Sequence, residues 1–239
     1  TLGNAASDVT TFSGGVTATV PGQINVAGTV QTSNAALTLG DGNADAVVVT
    51  DDATLKAGSS TITLTATKIN DSKTLTLGDG SATTVSVSSV TGANAVAGAG
   101  TGSNLTLNTT GTVSVSGAIG TDIGTLTVTQ SGGTTFSGAV SAATVVLTDT
   151  TDSAAIEFAG NLTASSGLSV NADGGADAFN VSVLGSSNSV AGTTTFKNTG
   201  TVTLGNGGDS LAFTGGVIAT APTQINVNGT LTAAGSGVI

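Results

Sequence analysis

FSGGVTATVPGQINVAGTVQ fills residues 12–31, and FTGGVIATAPTQINVNGTLT fills residues 213–232. Thirteen of these twenty positions are identical, and Phe12/Phe213, Pro21/Pro222 and Gly28/Gly229 are each 201 residues apart. The two prolines of the chain are one such pair. TLGN opens the chain at Thr1 and returns at Thr203, one residue out of step. Self-similarity at a fixed offset is the signature of a repeat array, in which each unit buries its apolar face against the next. Residues 1–239 therefore read as one continuous repetitive segment, with a unit of about 201 residues restarting near residue 203. Phe12 and Phe213 are expected at equivalent buried positions, one unit apart.

Inside the unit the apolar period is two. Thr61-Ile62-Thr63-Leu64-Thr65-Ala66-Thr67 alternates, as do Thr112–Ser116 and Thr125–Thr129. Such alternation marks half-buried strands. Roughly twenty short runs of this kind follow one another, separated by Gly, Asn, Asp or Ser. Gly and β-branched residues are too dense for a stable helix. The fold class is all-β. A right-handed parallel β-helix (β-solenoid) is the expected architecture, with tandem β-sandwich domains as the alternative. The inward side chains are small and aliphatic, which suits stacked ladders.

TLG followed by Asp or Asn recurs at Thr1, Thr38, Thr76 and Thr203, and the spacing of 38 from Thr38 to Thr76 predicts about two coils with a turn at the Gly. Asp41-Gly42 and Asp79-Gly80 are hairpin candidates. The Gly-rich run from Gly92 to Ser103 is expected to protrude as a loop.

Composition narrows the function. The net charge is −10, from 4 Lys and 14 acidic residues, of which Glu157 is the one Glu. There is no Arg, so no basic footprint for nucleic acid. There is no apolar run long enough for a membrane-spanning helix. Without His or Cys no Ser-His or Cys-His nucleophile can be assembled, and no Cys-based metal or redox site. Sugar hydrolysis needs a pair of carboxylates, usually beside aromatic platforms, and Trp and Tyr are absent. The chain is expected not to be an enzyme.

QINVAGTVQT, TLTLGDG, NLTLNTTGTVSVSGAIG and QINVNGTLTAAG resemble the strand repeats of large bacterial surface adhesins of the filamentous-haemagglutinin and autotransporter-passenger type. Surface-layer (S-layer) proteins share the Thr/Ala/Gly/Val bias and are the nearest rival. The resemblance covers nearly the whole chain and is one of texture. It implies a right-handed β-helix, an extracellular or bacterial cell-surface location, and a role in cell adhesion.

Calcium is the candidate ligand. Asp41-Gly42-Asn43-Ala44-Asp45 compares with Asp173-Gly174-Gly175-Ala176-Asp177, and both are similar to the Gly/Asp nonapeptide that binds Ca²⁺ between coils of repeats-in-toxin proteins. Alternate Asp and Asn on a Gly turn supply hard oxygen ligands. Asp41, Asn43, Asp45, Asp173 and Asp177 are therefore the candidate ligands. The competing reading is that Asp and Asn bond their own turns. Thr-x-Thr runs such as Thr61–Thr67 put hydroxyls on a solvent face, which suits water ordering or ice binding. The ordinary reading is that Thr favours exposed pleated surface, and the runs are expected to vary between coils. Glu157, between Ile156 and Phe158, is placed outside.

The resulting expectation is a structural or adhesive segment of a large secreted repetitive surface protein or extracellular fibre. An S-layer lattice protein and a calcium-stabilised or ice-binding module are the alternatives. Expected partners are neighbouring repeats or copies of the chain, in a filament or a lattice, and host or cell-surface glycans or proteins. No nucleic-acid partner and no membrane insertion is expected.

Overall fold

The computed structural model describes residues 1–43, 46–93, 102–120, 122–170 and 177–234. Most of the loop expected at Gly92–Ser103 lies outside these residues. The described residues form strands and turns with no helix. The strands are β1 (Val9–Phe12), β2 (Val16–Ala18), β3 (Ile24–Thr32), β4 (Leu37–Leu39), β5 (Val47–Lys56), β6 (Thr61–Ile69) and β7 (Thr74–Leu77). Next come β8 (Thr84–Gly92), β9 (Ser103–Asn108), β10 (Val113–Val115), β11 (Ile123–Gln130), β12 (Thr134–Phe136), β13 (Val140–Leu147) and β14 (Ala155–Phe158). The last are β15 (Leu162–Val170), β16 (Asn180–Val183), β17 (Ser187–Val190), β18 (Thr194–Thr195), β19 (Thr201–Phe213), β20 (Val217–Ile218) and β21 (Gln224–Ala233).

Among them the pairings are parallel, and they sort into three ladders, here called faces I, II and III. Face I runs through β1, the second half of β3, then β5, β7, β9, β11, β13 and β15, and on to β18 and β20. Face II stacks β2, β4, β6, β8, β10, β12, β14, β16 and the first halves of β19 and β21. Face III begins at the Leu2–Val26 bridge and ends on the second halves of β19 and β21. The chain visits the faces in the order I, II, III, then climbs one rung. Parallel strands cannot be joined by tight hairpins, and a coil that returns to the same face one layer up satisfies that constraint. The result is a β-solenoid of about nine turns. At the ~4.8 Å spacing of adjacent strands, nine turns rise roughly 40 Å.

Asp41-Gly42 and Asp79-Gly80 are therefore corners, not hairpins. Gly42 and Gly80 take the left-handed conformation (φ 92° and 89°) and carry the chain from one parallel strand to the next.

The two-residue alternation fills the core. On face I the inward row Leu55, Leu77, Leu107, Val128, Leu147, Val170 is stacked coil on coil, and each of these side chains is buried. On face II the corresponding row is Leu39, Leu64, Val87, Val115, Phe136, Phe158, Val183, Leu204. The rings of Phe136 and Phe158 stack, with centroids 5.0 Å apart and planes 14° from parallel.

TLG marks a corner rather than a fixed coil count. In each case Thr points out and Leu points in. Gly then turns the corner with positive φ, at Gly3, Gly40, Gly78 and Gly205. A Cβ on Gly78 would strike the Asn108 carbonyl of the next coil, so shape as well as φ demands glycine. Thr38 lies on face II and Thr76 on face I. Their spacing is thus one turn plus two faces, not two coils. Coils are longer than twenty residues where corners carry insertions; Leu75 pairs with Leu105, 30 residues on.

The 201-residue offset has a geometric counterpart. Leu2 bridges Val26, and Leu204 pairs with Val227. Asp8 closes its turn by accepting the Ala5 N–H (3.2 Å), and Asp209 does the same for Asn206 (2.7 Å). Ser33 N–H donates to the Phe12 carbonyl (3.1 Å), and Ala234 N–H to that of Phe213 (3.4 Å). The copies nevertheless occupy different faces. Phe12 lies on face I and Phe213 on face III. Phe213 is fully buried, whereas Phe12 is half-buried, because β1 pairs with β3 alone among the described strands. The two phenylalanines are thus equivalent locally and not in burial or face.

Thr134 points into the core between Val113 and Ile156, and its hydroxyl has no hydrogen-bond partner. A buried hydroxyl without a partner costs about 1–3 kcal/mol. Thr134→Val should raise the melting temperature by roughly 2–4 °C per kcal/mol recovered. Thermal melts followed by circular dichroism check this.

Candidate functional site: the hydroxyl faces and corners

Registered stacking does to the outward residues what it does to the core. On face I, Thr29, Thr54, Thr76, Thr106 and Thr127 stand one above the other on successive coils. On face II the row is Thr17, Thr38, Thr63, Ser86, Ser114, Thr135, Glu157, Ser182 and Thr203. The Thr runs were expected to vary between coils. On face I five coils in succession keep Thr, and on face II Ser and Glu157 enter the row. Glu157 is on the outside, as its alternation requires, and is half-buried between its neighbours. Hydroxyls in these rows repeat at ~4.8 Å between coils and ~7 Å along a strand.

Of the calcium candidates, Asp41, Asn43 and Asp177 fall among the described residues. Asp41 sits at the corner between faces II and III, after β4, and Asp177 at the corner between faces I and II, before β16. Several coils separate them. Asp45 and Asp173 lie outside the described residues. Asp41 accepts the Asn43 backbone N–H (2.9 Å) and its side-chain amide (2.6 Å). These two bonds hold its carboxyl below the usual range, the backbone one contributing most. Asn43 is thus a turn partner of Asp41. Asp177 supports the coil above through its carbonyl, which accepts the Thr199 N–H (2.7 Å). Among the described residues no cluster of three or more acidic, His or Cys side chains could hold a metal ion.

The corners show a device that sequence reading missed. A side-chain oxygen of one coil accepts a backbone N–H of the next. Asn34 takes the N–H of Ser59, Asn104 that of Thr125, Asn161 that of Ser187 and Asn180 that of Thr201. Asp52 does so for Thr74 and Asp152 for Ala178. Thr74, Ser187 and Thr201 are the first residues of β7, β17 and β19, and an amide left unpaired is costly wherever water is excluded. Asn or Asp 21–26 residues upstream is the only sequence signal, and varying coil length blurs it.

An open groove of about 440 Å³ runs along the corner between faces III and I, where Gly102, Gly124, Ser141, Ala143 and Ser166 leave the surface concave. Among the described residues, Asp122 is the only ionisable one in its lining. Lys73 forms an ion pair with Asp51 at 2.6 Å, and Lys56 lies 3.9 Å from Asp79.

No protein-family model, no curated protein and no solved structure matches this chain.

The hydrogen bond from Lys73 holds the Asp51 carboxyl below the usual range, and Asp51 in turn raises Lys73. A carboxylate lowered in the folded state stabilises above its unfolded pKa, and that contribution is lost as pH falls through the folded value. Both side chains are about one-third exposed, so the effect is small. Asp51→Asn should lower the melting temperature slightly at neutral pH. The difference from the native chain should vanish in strong acid, as paired melts across pH will show.

Proposed function

We propose that this chain is a load-spanning and adhesive segment of a large, secreted, repetitive bacterial surface protein or extracellular fibre, without catalysis of its own. The observation that supports the reading is the return of one set of coil contacts, down to a turn-closing Asp, at a 201-residue offset along a stack of parallel coils. A solenoid lengthens by adding coils without redesigning its core, so its natural use is reach. Its neighbours are further repeats of the same kind, and its faces meet glycans or proteins of other cells. A surface-layer lattice is the competing assembly. Immunogold labelling of intact source cells with antibody to this chain tests the reading. Label on filaments projecting from the surface is expected. A continuous sheet of label would favour the lattice, and label confined to the cell interior would overturn the proposal.

The aligned threonines of face I favour a second reading, a water-ordering face that binds ice. A hydroxyl and a methyl repeat there in register across five coils. On this reading the purified chain slows ice recrystallisation, and Thr76→Lys together with Thr106→Lys abolishes the effect while leaving the fold intact by circular dichroism. Ice growth unchanged by the native chain would remove this reading.

A further inference from the structure

The two copies of the coil motif are related by more than a translation. From Phe12 on face I the ladder climbs eight registered steps to Phe196. Two further faces bring the chain to Phe213 on face III. The other markers give the same displacement. Leu2 and Val26 lie on face III, and their counterparts Leu204 and Val227 lie on face II. Likewise Val16–Ala18 lies on face II, and its counterpart Val217–Ile218 on face I. A unit of 201 residues therefore winds eight turns and two faces, one face short of nine turns.

This is sterically allowed because the faces are locally alike. Each has inward aliphatic residues at period two, an outward Thr or Ser, and a corner that glycine or a closing Asp can turn. The same sequence therefore reads out as the same coil wherever it falls.

We infer that successive units dock end on end, each turned back by one face, so that any given side chain appears on all three sides of the rod and returns to its first side after three units. The first copy of the motif shows the seat that a following unit takes: β3 rests on β1 and is covered on its other edge by β5.

The consequence is an even distribution of surface chemistry. Lys56, Lys73, Lys197, Asp51 and Asp52 lie on or beside face I, whereas Lys68 lies on face III and Glu157 on face II. Units with whole turns would keep each of these charges on one side of the rod. Units one face short spread that chemistry around the axis. A rod of this kind can engage partners from any direction, which suits a free fibre and not a one-sided lattice.

The inference rests on the reading that the unit recurs in a continuous rod, and one experiment separates the two. The full chain is extended by three further 201-residue units, and the exposed, outward Thr135 and its copies are changed to Cys. The native chain has no cysteine, so each unit carries one maleimide-gold cluster. Negative-stain electron microscopy then reads rod length and the side on which each cluster lies. The expected result is a straight rod roughly 160 Å long, at ~40 Å per unit, with gold on three sides and the first and fourth clusters aligned. A rod of that length with all gold in one row would overturn the inference and leave the repeat reading standing. A chain that fails to lengthen as one rod would overturn both.

Discussion

The parallel hydrogen-bonded ladder between coils is the constraint on which everything else depends. Once the backbone of one coil is registered on the next, each side chain stands over the side chain of its partner. Inward positions must then be compatible with themselves through many layers. Val, Leu and Ile stack on one another without leaving voids, and close packing accounts for the last few kcal/mol of a specific core. The core is therefore narrow and built of small aliphatic residues. The phenylalanines enter where neighbouring layers make room, as Phe136 and Phe158 do by stacking ring on ring.

The corners carry the opposite requirement. There the chain must change direction within a few residues while the layer above lies under 5 Å away. Glycine at Gly3, Gly40, Gly78 and Gly205 meets this with positive φ and no Cβ. Where amides leave the ladder, Asn and Asp side chains of the coil below accept them. The abundance of Gly, Asn and Asp is thus a property of the corners. Asp41 belongs to the same class, since its carboxylate is taken up by Asn43.

Outward positions are free of both constraints. The registration that aligns the core also aligns Thr29, Thr54, Thr76, Thr106 and Thr127 into a row. Such rows are surfaces of repeated hydroxyls with few charges. Their chemistry is that of many weak, evenly spaced contacts, which suits an extended adhesive or structural element.

The sequence by itself determined the all-β class, which residues point inward and the self-similarity at an offset of 201 residues, and it favoured a coiled parallel architecture over tandem sandwiches without deciding between them. These are local properties. Alternation of period two assigns each side chain to one side of its own strand, whatever lies above it. Only the tertiary structure decided which face each strand occupies, because that depends on the summed lengths of every coil, and these vary with corner insertions. So the spacing from Thr38 to Thr76 reads as two coils and is one turn plus two faces. Asp41-Gly42 and Asp79-Gly80 look like hairpins and are corners, because a dipeptide does not specify the direction of the strand that follows it. Asp41 and Asp177 share a motif but lie at different corners, several coils apart. Phe12 and Phe213 share a sequence and differ in face and burial, since burial is conferred by the neighbouring coil and not by the residue.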